Sequence, residues 1–200
     1  MEQIIQLNSQ AKLSEHFTLG ELTKTSHKVY NIPSHEAIAN LKRLCIWLEY
    51  LRKRYNELNQ TTPGPSSLFE EGNTEGRVLP SSWEGKASPV LPSSWEEGPG
   101  VEERKTLLPI IINSGYRSPQ LNRKIGGAPN SNHLTGCAVD IRVKDNEQLI
   151  QYAAILIQYA NETNQDFDEL LLEKNSHGAI WLHFAVKPKG NRRKVYFINA

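Results

Sequence analysis

The sequence has few cysteines, no long apolar run and almost no net charge. Two cysteines among 200 residues are too few for a small domain stapled by disulfides. Apolar residues never run for 18 positions or more, which excludes a membrane-spanning helix of the usual kind. The formal net charge of +1 gives no reason to expect a nucleic-acid partner. We therefore expect a soluble chain with one core of ordinary composition.

Proline and glycine are concentrated in one region. Residues 61–104 hold six of the 11 prolines and six of the 13 glycines, and VLPSSWEG at 78–85 recurs as VLPSSWEE at 90–97. Two copies are too few for a solenoid, so this composition predicts a disordered, low-complexity insert. A second interpretation stays open, in which Trp83 and Trp95 form a paired aromatic ligand for a partner or a glycan.

The insert predicts how the domain is organised. We expect one domain whose N-terminal helical part covers residues 1–60 and whose sheet part covers 106–200, interrupted by the insert at 61–105. Residues 61–104 carry three basic and eight acidic residues, which leaves 20 basic and 14 acidic residues elsewhere. The body outside the insert therefore has a net charge of +6 and favours an anionic polymer as substrate.

Apolar spacing predicts the helices. From Ser34, a suitable N-cap, apolar residues recur every three or four positions to residue 58, which indicates a long amphipathic helix. Cys45 lies on this apolar stripe, so we expect a buried, inert thiol. Shorter helical segments are expected at 17–25 with Thr18 as cap, at 118–125 after a proline start, and at 145–160 with Asp145 as cap.

Short apolar or alternating runs predict five strands. These runs lie at 108–113, 137–143, 168–173, 180–186 and 194–199. Because helices precede a cluster of strands at hairpin-like separations, the fold class predicted is α+β, with a small antiparallel sheet flanked by helices.

Three polar residues interrupt these otherwise apolar elements. His133 and Asp140 lie seven apart with Gly136 between them, and the glycine permits a tight reversal that points both side chains at one spot. His183 interrupts the apolar strand at 180–186. Two imidazoles and a carboxylate suit catalytic Zn²⁺, which keeps a fourth position open to water. For each residue taken alone, a hydrogen-bonded structural role stays open.

The residues around this set resemble a known family. SGYRSP at 114–119, SNHLTGCAVD at 131–140 and WLH at 181–183 closely resemble the zinc D-alanyl-D-alanine carboxypeptidases of the M15 peptidase family. The resemblance is nearest to the short, phage-like branch and covers residues 13–58 and 107–187. It implies the hedgehog/DD-peptidase fold, with the sheet carrying a zinc site.

The resemblance also implies residue roles. His133, Asp140 and His183 match the zinc ligands, and Arg117 matches the arginine that supports the developing oxyanion of the scissile carbonyl. Without the family context, Arg117 would be interpreted as a surface residue. Ser131 resembles the motif serine that holds a ligand loop or contacts substrate.

The general base is less directly indicated. Some relatives carry a glutamate three residues before the last histidine ligand, but that position here is Ile180. Glu173, at the end of a predicted strand, is the candidate base, with a solvated carboxylate as the alternative. His177 is a second candidate for proton transfer. Tyr116 and Trp181 are expected to line the substrate pocket, although both could serve packing only.

The function implied by the resemblance is hydrolysis of peptidoglycan stem peptides. The first candidate is a D-alanyl-D-alanine carboxypeptidase that uses Zn²⁺. The alternatives are an endopeptidase of the endolysin type that cuts between L-Ala and D-Glu, a zinc-binding relative without catalysis, and a gene product disabled by its insert. We expect a monomer with no nucleic-acid partner. No export signal is visible, and the sequence leaves the location open between phage-type release, an unconventional export route and a cytoplasmic role.

Overall fold

The computed structural model describes residues 8–61 and 107–199. The predicted insert at 61–105, with Trp83 and Trp95, therefore lies almost wholly outside the described residues, and the three-part organisation stays a prediction. The helices are α1 (Leu19–Thr23), α2 (His35–Thr61), α3 (Pro119–Lys124) and α4 (Asn146–Thr163). The strands are β1 (Ile112–Ser114), β2 (Ala138–Arg142), β3 (Glu169–Lys174), β4 (Ile180–Ala185) and β5 (Lys194–Asn199), and a 3-10 turn covers Asn132–Thr135.

Side-chain caps begin the helices where the sequence predicts them. Thr18 accepts a hydrogen bond from the backbone N–H of Glu21, whose carboxylate accepts one from the N–H of Thr18, which together form a capping box. Ser118 caps α3 and Asp145 caps α4 in the same manner. Ser34 Oγ accepts from the N–H of Ala37 at the start of α2. These helix predictions are confirmed to within a few residues at their ends.

The five strands form one mixed sheet in the order β1-β2-β4-β3-β5. The α+β class is confirmed, and β1–β2, β2–β4 and β3–β4 are antiparallel as expected. The prediction of a wholly antiparallel sheet is wrong, because β5 pairs in parallel with β3. The chain turns back after β4, and the N–H groups of Arg193 and Lys194 donate to the carbonyls of Phe167 and Asp168. These bonds place the start of β5 beside the start of β3.

The first strand is shorter than predicted and lies later in the chain. Residue Leu108, inside the predicted run 108–113, bonds to α2 instead of a strand: its N–H donates to Asn56 Oδ1 at 2.6 Å and its carbonyl accepts from Asn56 Nδ2 at 3.0 Å. Only Ile112–Ser114 then has strand geometry, with a register irregularity against β2.

One face of the sheet packs on α2 and α4. Trp47 of α2 is central to this core, with its ring centroid 5.2 Å from Phe184 of β4 and 4.6 Å from Tyr159 of α4. Cys45 is fully buried in the same core, and burial raises the pKa of its thiol to about 12, as expected for an inert cysteine. None of the helices within the described ranges has both the length and the apolarity to cross a membrane.

The opposite face of the sheet carries polar side chains. Successive residues of a strand point to opposite faces of the sheet. Asp140 therefore points away from the face of Ile141, the buried residue that follows it, and His183 points away from the face of Leu182, the buried residue that precedes it. Asp140 and His183 are also direct partners in the β2–β4 register. Because partners in a register share a face, the sheet itself brings this carboxylate and this imidazole together.

Candidate metal centre

Three side chains converge on the polar face of the sheet. His133 comes from the 3-10 turn, Asp140 from β2 and His183 from β4, and one potential ligand atom of each lies within 4.8 Å of the other two. All three residues are buried, with 2–8% of their surface exposed. The convergence expected from sequence is present, and the group is able to hold a metal ion.

Gly136 makes the turn that directs His133 to this face. It ends the 3-10 turn with a left-handed φ of 71°, and its N–H donates to the carbonyl of His133. A Cβ at this position would lie 2.5 Å from the carbonyl oxygen of Ala37 in α2. A side chain is therefore excluded by both the backbone conformation and the close approach of α2, as the tight reversal predicted from sequence requires.

The donor atoms of the three side chains lie close enough together to surround one small cation. His133 Nε2 lies 3.2 Å from Asp140 Oδ1, and His183 Nδ1 lies 2.8 Å from the same oxygen. Ligands about 2.0–2.1 Å from a tetrahedral Zn²⁺ are about 3.3 Å apart. Two imidazole nitrogens and one carboxylate oxygen are also the donors of many catalytic zinc sites. The residues present fit zinc by their chemistry; the separation of 3.2 Å is close to this tetrahedral spacing, and the separation of 2.8 Å is shorter because it is a hydrogen bond in this structure.

An outer hydrogen bond fixes the orientation of His133. Its Nδ1 lies 2.6 Å from the backbone oxygen of Gly115. Since a carbonyl only accepts, Nδ1 carries the proton and the lone pair of Nε2 is directed at Asp140 and the site. Gly115 reaches this place because it packs on α1: an added Cβ would lie 2.3 Å from the oxygen of Leu22. This role of the glycine in SGYRSP is absent from the sequence prediction.

Arg117 contacts the other oxygen of the central carboxylate. Its Nη2 donates to Asp140 Oδ2 at 2.5 Å, and its Nε donates to Ser114 Oγ at 2.9 Å. Its backbone N–H donates to the carbonyl of His133. The guanidinium therefore lies next to the candidate ligands and orients Asp140 so that Oδ1 faces both histidines. The role expected from the resemblance, contact with a scissile carbonyl, stays a prediction.

Burial and mutual charge shift the pKa values of the three groups. Burial lowers the pKa of His133. Burial would raise the pKa of Asp140, but the two neighbouring histidines, one of which donates a hydrogen bond to it from His183 Nδ1, hold it well below its ordinary value. For His183, burial opposes protonation, yet the hydrogen bond and charge of Asp140 raise its pKa. The metal-free site is thus an ionised carboxylate beside one neutral and one more basic imidazole.

Glu173 lies on the same polar face as His183, two residues after Leu171, the residue of β3 that pairs with His183. It faces Trp181 across the β3–β4 register. Burial raises the pKa of Glu173, while the charges of His183 and Arg117 oppose that shift. A half-buried carboxyl with a raised pKa is typical of a group that transfers protons.

The remaining predicted site residues lie in different environments. Ser131 caps the 3-10 turn by accepting from the N–H of His133, and it lines a cleft of about 390 Å³ that includes His183. Tyr116 is 7% exposed and belongs to the hydrophobic core, which favours the packing alternative. His177 is exposed in the β3–β4 loop, where its N–H donates to Asn175 Oδ1.

A cluster of charged side chains lies beside the site, and the sequence analysis did not predict it. Asp168 is fully buried, and despite that burial its bonds to Arg192 and Lys187 lower its pKa to about 2. The next residue, Glu169, lies on the face of His183, with Oε2 at 3.9 Å from His183 Nε2. The sequence did contain a signal for the position of Glu169: residues two apart in a strand share a face, so Glu169, Leu171 and Glu173 lie on the same face of β3.

The comparison with known families agrees with this geometry. Residues 100–170 match the family model described as Peptidase M15. This segment contains Arg117, His133 and Asp140, and it ends before Glu173 and His183. The match supports the M15 peptidase family, whose members are peptidases and usually depend on zinc. No curated protein matches the chain.

The affinity for zinc should fall as the pH is lowered. Because Asp140 raises the pKa of His183, a proton occupies this ring up to a higher pH than the ordinary value of about 6.5, and zinc must displace it. Below that pKa, the apparent affinity for zinc should fall about tenfold for each unit by which the pH is lowered, because one proton must be displaced from His183. Competition with a chromophoric chelator between about pH 5.5 and about pH 8 measures this slope.

The control for this pH dependence is His177→Ala. His177 is exposed in a loop and lies outside the His–Asp–His group, so its loss should leave the slope unchanged. Zinc affinity that is equal across the whole range would contradict the description of His183 as a protonated ligand.

Proposed function

We propose that the protein is a zinc metallopeptidase that hydrolyses peptidoglycan stem peptides, in the first place as a D-alanyl-D-alanine carboxypeptidase. The observation that carries the proposal is the buried group of His133, Asp140 and His183, beside Arg117, in a chain whose residues 100–170 match the Peptidase M15 model. The resemblance of the motifs at 114–119 and 131–140 supports the substrate class.

The candidate ligands would hold zinc through His133 Nε2, Asp140 Oδ1 and His183 Nδ1. When bound there, zinc supplies a Lewis acid for the peptide carbonyl and lowers the pKa of a coordinated water toward about 7. Gly115 keeps the proton of His133 on Nδ1, and Arg117 keeps Oδ1 of Asp140 turned toward the histidines. These bonds orient the donors before any metal arrives.

Arg117 retains donors for the reaction. Its bonds to Ser114 and Asp140 use two of the five N–H groups of a guanidinium. The other N–H groups of the guanidinium would bind the oxygen on which negative charge develops when the carbonyl is attacked. In a mostly buried site this interaction is worth more than in water.

Glu173 is the proposed general base. Its carboxylate takes a proton from the attacking water and passes it to the nitrogen of the leaving amine, so the proton is returned within one turnover. Because the pKa of Glu173 is raised, its carboxylate binds a proton more readily than an ordinary glutamate does, which suits transfer between the water and the amine. Trp181, the partner of Glu173 in the β3–β4 register, would hold this carboxyl in place and form part of the pocket, and Ser131 would contact the peptide from the cleft.

One observation favours an endopeptidase as the second candidate. The cleft next to His183 is lined by Lys187 and Arg192, the cations that a C-terminal carboxylate would require. Both already pair with Asp168, and Arg192 also pairs with Glu169. A cleft whose cations are already neutralised suits a continuing peptide chain, as in cleavage between L-Ala and D-Glu.

The test is metal analysis of the purified chain, followed by incubation with defined muropeptides and mass spectrometry. We expect one zinc per chain and release of free D-alanine from pentapeptide stems. Severed stems without free D-alanine would identify the endopeptidase. The matched control is His133→Ala, which should lose both zinc and cleavage. A zinc-loaded protein that binds wall fragments and cleaves none would contradict peptidase activity.

Arg117→Ala should cripple turnover while zinc still binds when supplied in excess. Removing one donor to a developing oxyanion typically costs about 10²–10³ in kcat. The measurement is kcat on the substrate identified above, together with zinc content at saturating metal. The control is Arg123→Ala on the exposed surface of α3, which should keep full activity. Hydrolysis by Arg117→Ala at the wild-type rate would refute the role of this arginine.

Glu173→Gln should retain zinc and lose about 10²–10⁴ in kcat, since the amide accepts no proton. In the wild type, kcat/KM should fall at acid pH, and because the pKa of Glu173 is raised, the fall should begin above the ordinary glutamate value of about 4.3. The pH profile of each variant is the measurement. If His177→Ala loses this activity and Glu173→Gln keeps it, the base is His177 instead.

A further inference from the structure

The two histidines of the candidate site differ in what their outer nitrogens face. His133 presents Nε2 to the site, and its outer Nδ1 has a direct partner in Gly115 O at 2.6 Å. His183 presents Nδ1 to Asp140, so its outer nitrogen is Nε2. That nitrogen lies 3.9 Å from Glu169 Oε2. Since imidazole ligands depend on an acceptor at the outer nitrogen, Glu169 is the group placed to supply it.

Glu169 is held firmly in this position. Arg192 Nη2 donates to its Oε1 at 2.5 Å, and Asn132 Nδ2 donates to its Oε2 at 2.9 Å. The backbone of Glu169 is the first residue of β3 and pairs with Ala185 of β4. A carboxylate on a strand, gripped by an arginine and an amide, has little freedom to turn into solvent.

The same contacts join both histidines to one network. Asn132 directly precedes His133, and its Nδ2 donates to Asp168 as well as to Glu169. Arg192 donates to the same two carboxylates. The network thus connects the turn that carries His133 with the face that carries His183.

We propose that Glu169 is the positioning residue for His183: its Oε2 accepts the Nε2–H of the ring and keeps Nδ1 directed at the metal. The separation of 3.9 Å exceeds a normal hydrogen bond by less than about 1 Å, so the bond requires a shift of the carboxylate toward the ring while its contacts with Arg192 and Asn132 are kept. Glu169 touches neither substrate nor metal in this role. The inference rests on the zinc site of the proposed function.

The test measures zinc affinity, by chelator competition, in Glu169→Gln and Glu169→Ala. Loss of an outer partner typically weakens metal binding about 10–100-fold. We expect a loss near the lower end for the glutamine, which keeps an oxygen, and near the upper end for alanine. In the zinc-loaded wild type, the Nε2–H proton of His183 should give a slowly exchanging NMR signal, and this signal should be lost in Glu169→Ala.

The matched control is Asp166→Asn. Asp166 lies three residues earlier, is exposed and pairs with Arg193 at 2.9 Å, so this change also removes one negative charge bound to an arginine. It should leave both zinc affinity and the His183 signal unchanged. Equal weakening by Asp166→Asn would show a general charge effect and overturn the proposal.

A structural role for Glu169 would give a different pattern. It would lower the Tm of the metal-free protein and leave the His183 signal intact in zinc-loaded samples, and that result would overturn the inference. Wild-type zinc affinity in Glu169→Ala would also overturn it, while the zinc peptidase proposal would stand. Failure of the wild type to bind zinc would overturn both.

Discussion

The register of β2 against β4 is the constraint on which the candidate site depends. It sets Asp140 directly opposite His183 on the face of the sheet that α2 and α4 leave uncovered. Because side chains alternate along a strand, a slip of β2 by one residue would turn Asp140 into the core, bring Ile141 to the polar face and separate the carboxylate from His183. The apolar pattern that secures the core therefore also secures the site.

A buried carboxylate between two imidazoles is costly unless its oxygens are satisfied. Removing a charge from water costs several kcal/mol, which is offset only by good hydrogen bonds and opposite charge. Asp140 accepts a hydrogen bond from Arg117 on Oδ2 and one from His183 Nδ1 on Oδ1. The lone pair of His133 Nε2 faces the same Oδ1 at 3.2 Å, so this pair of atoms has no proton between them. A divalent cation bound there would relieve that repulsion and would couple metal binding to the stability of this face.

Much of this was predictable from the sequence, because the signals are local. Thr18, Ser118 and Asp145 are caps followed by periodic apolar residues, and the helices begin where these caps stand. The convergence of His133 and Asp140 was expected because Gly136 permits a tight reversal, and the structure gives this glycine a left-handed conformation. What failed was non-local. The parallel pairing of β5 with β3 depends on contacts between loops, which no strand period reports.

Glu169 shows why part of the site also escaped prediction. A glutamate in an alternating strand is ordinarily a solvent-facing residue, and only the partners of β3 reveal a histidine beside it. The β3–β4 pairing sets Glu169 near His183, and the chain that returns after β4 binds Asp168 through Arg192. The same return places β5 in parallel beside β3 and brings Arg192 onto Glu169. The unexpected topology and the arginine that holds Glu169 thus share one physical cause, a fully buried aspartate neutralised by the segment following β4, while the nearness of Glu169 to His183 follows from the β3–β4 register.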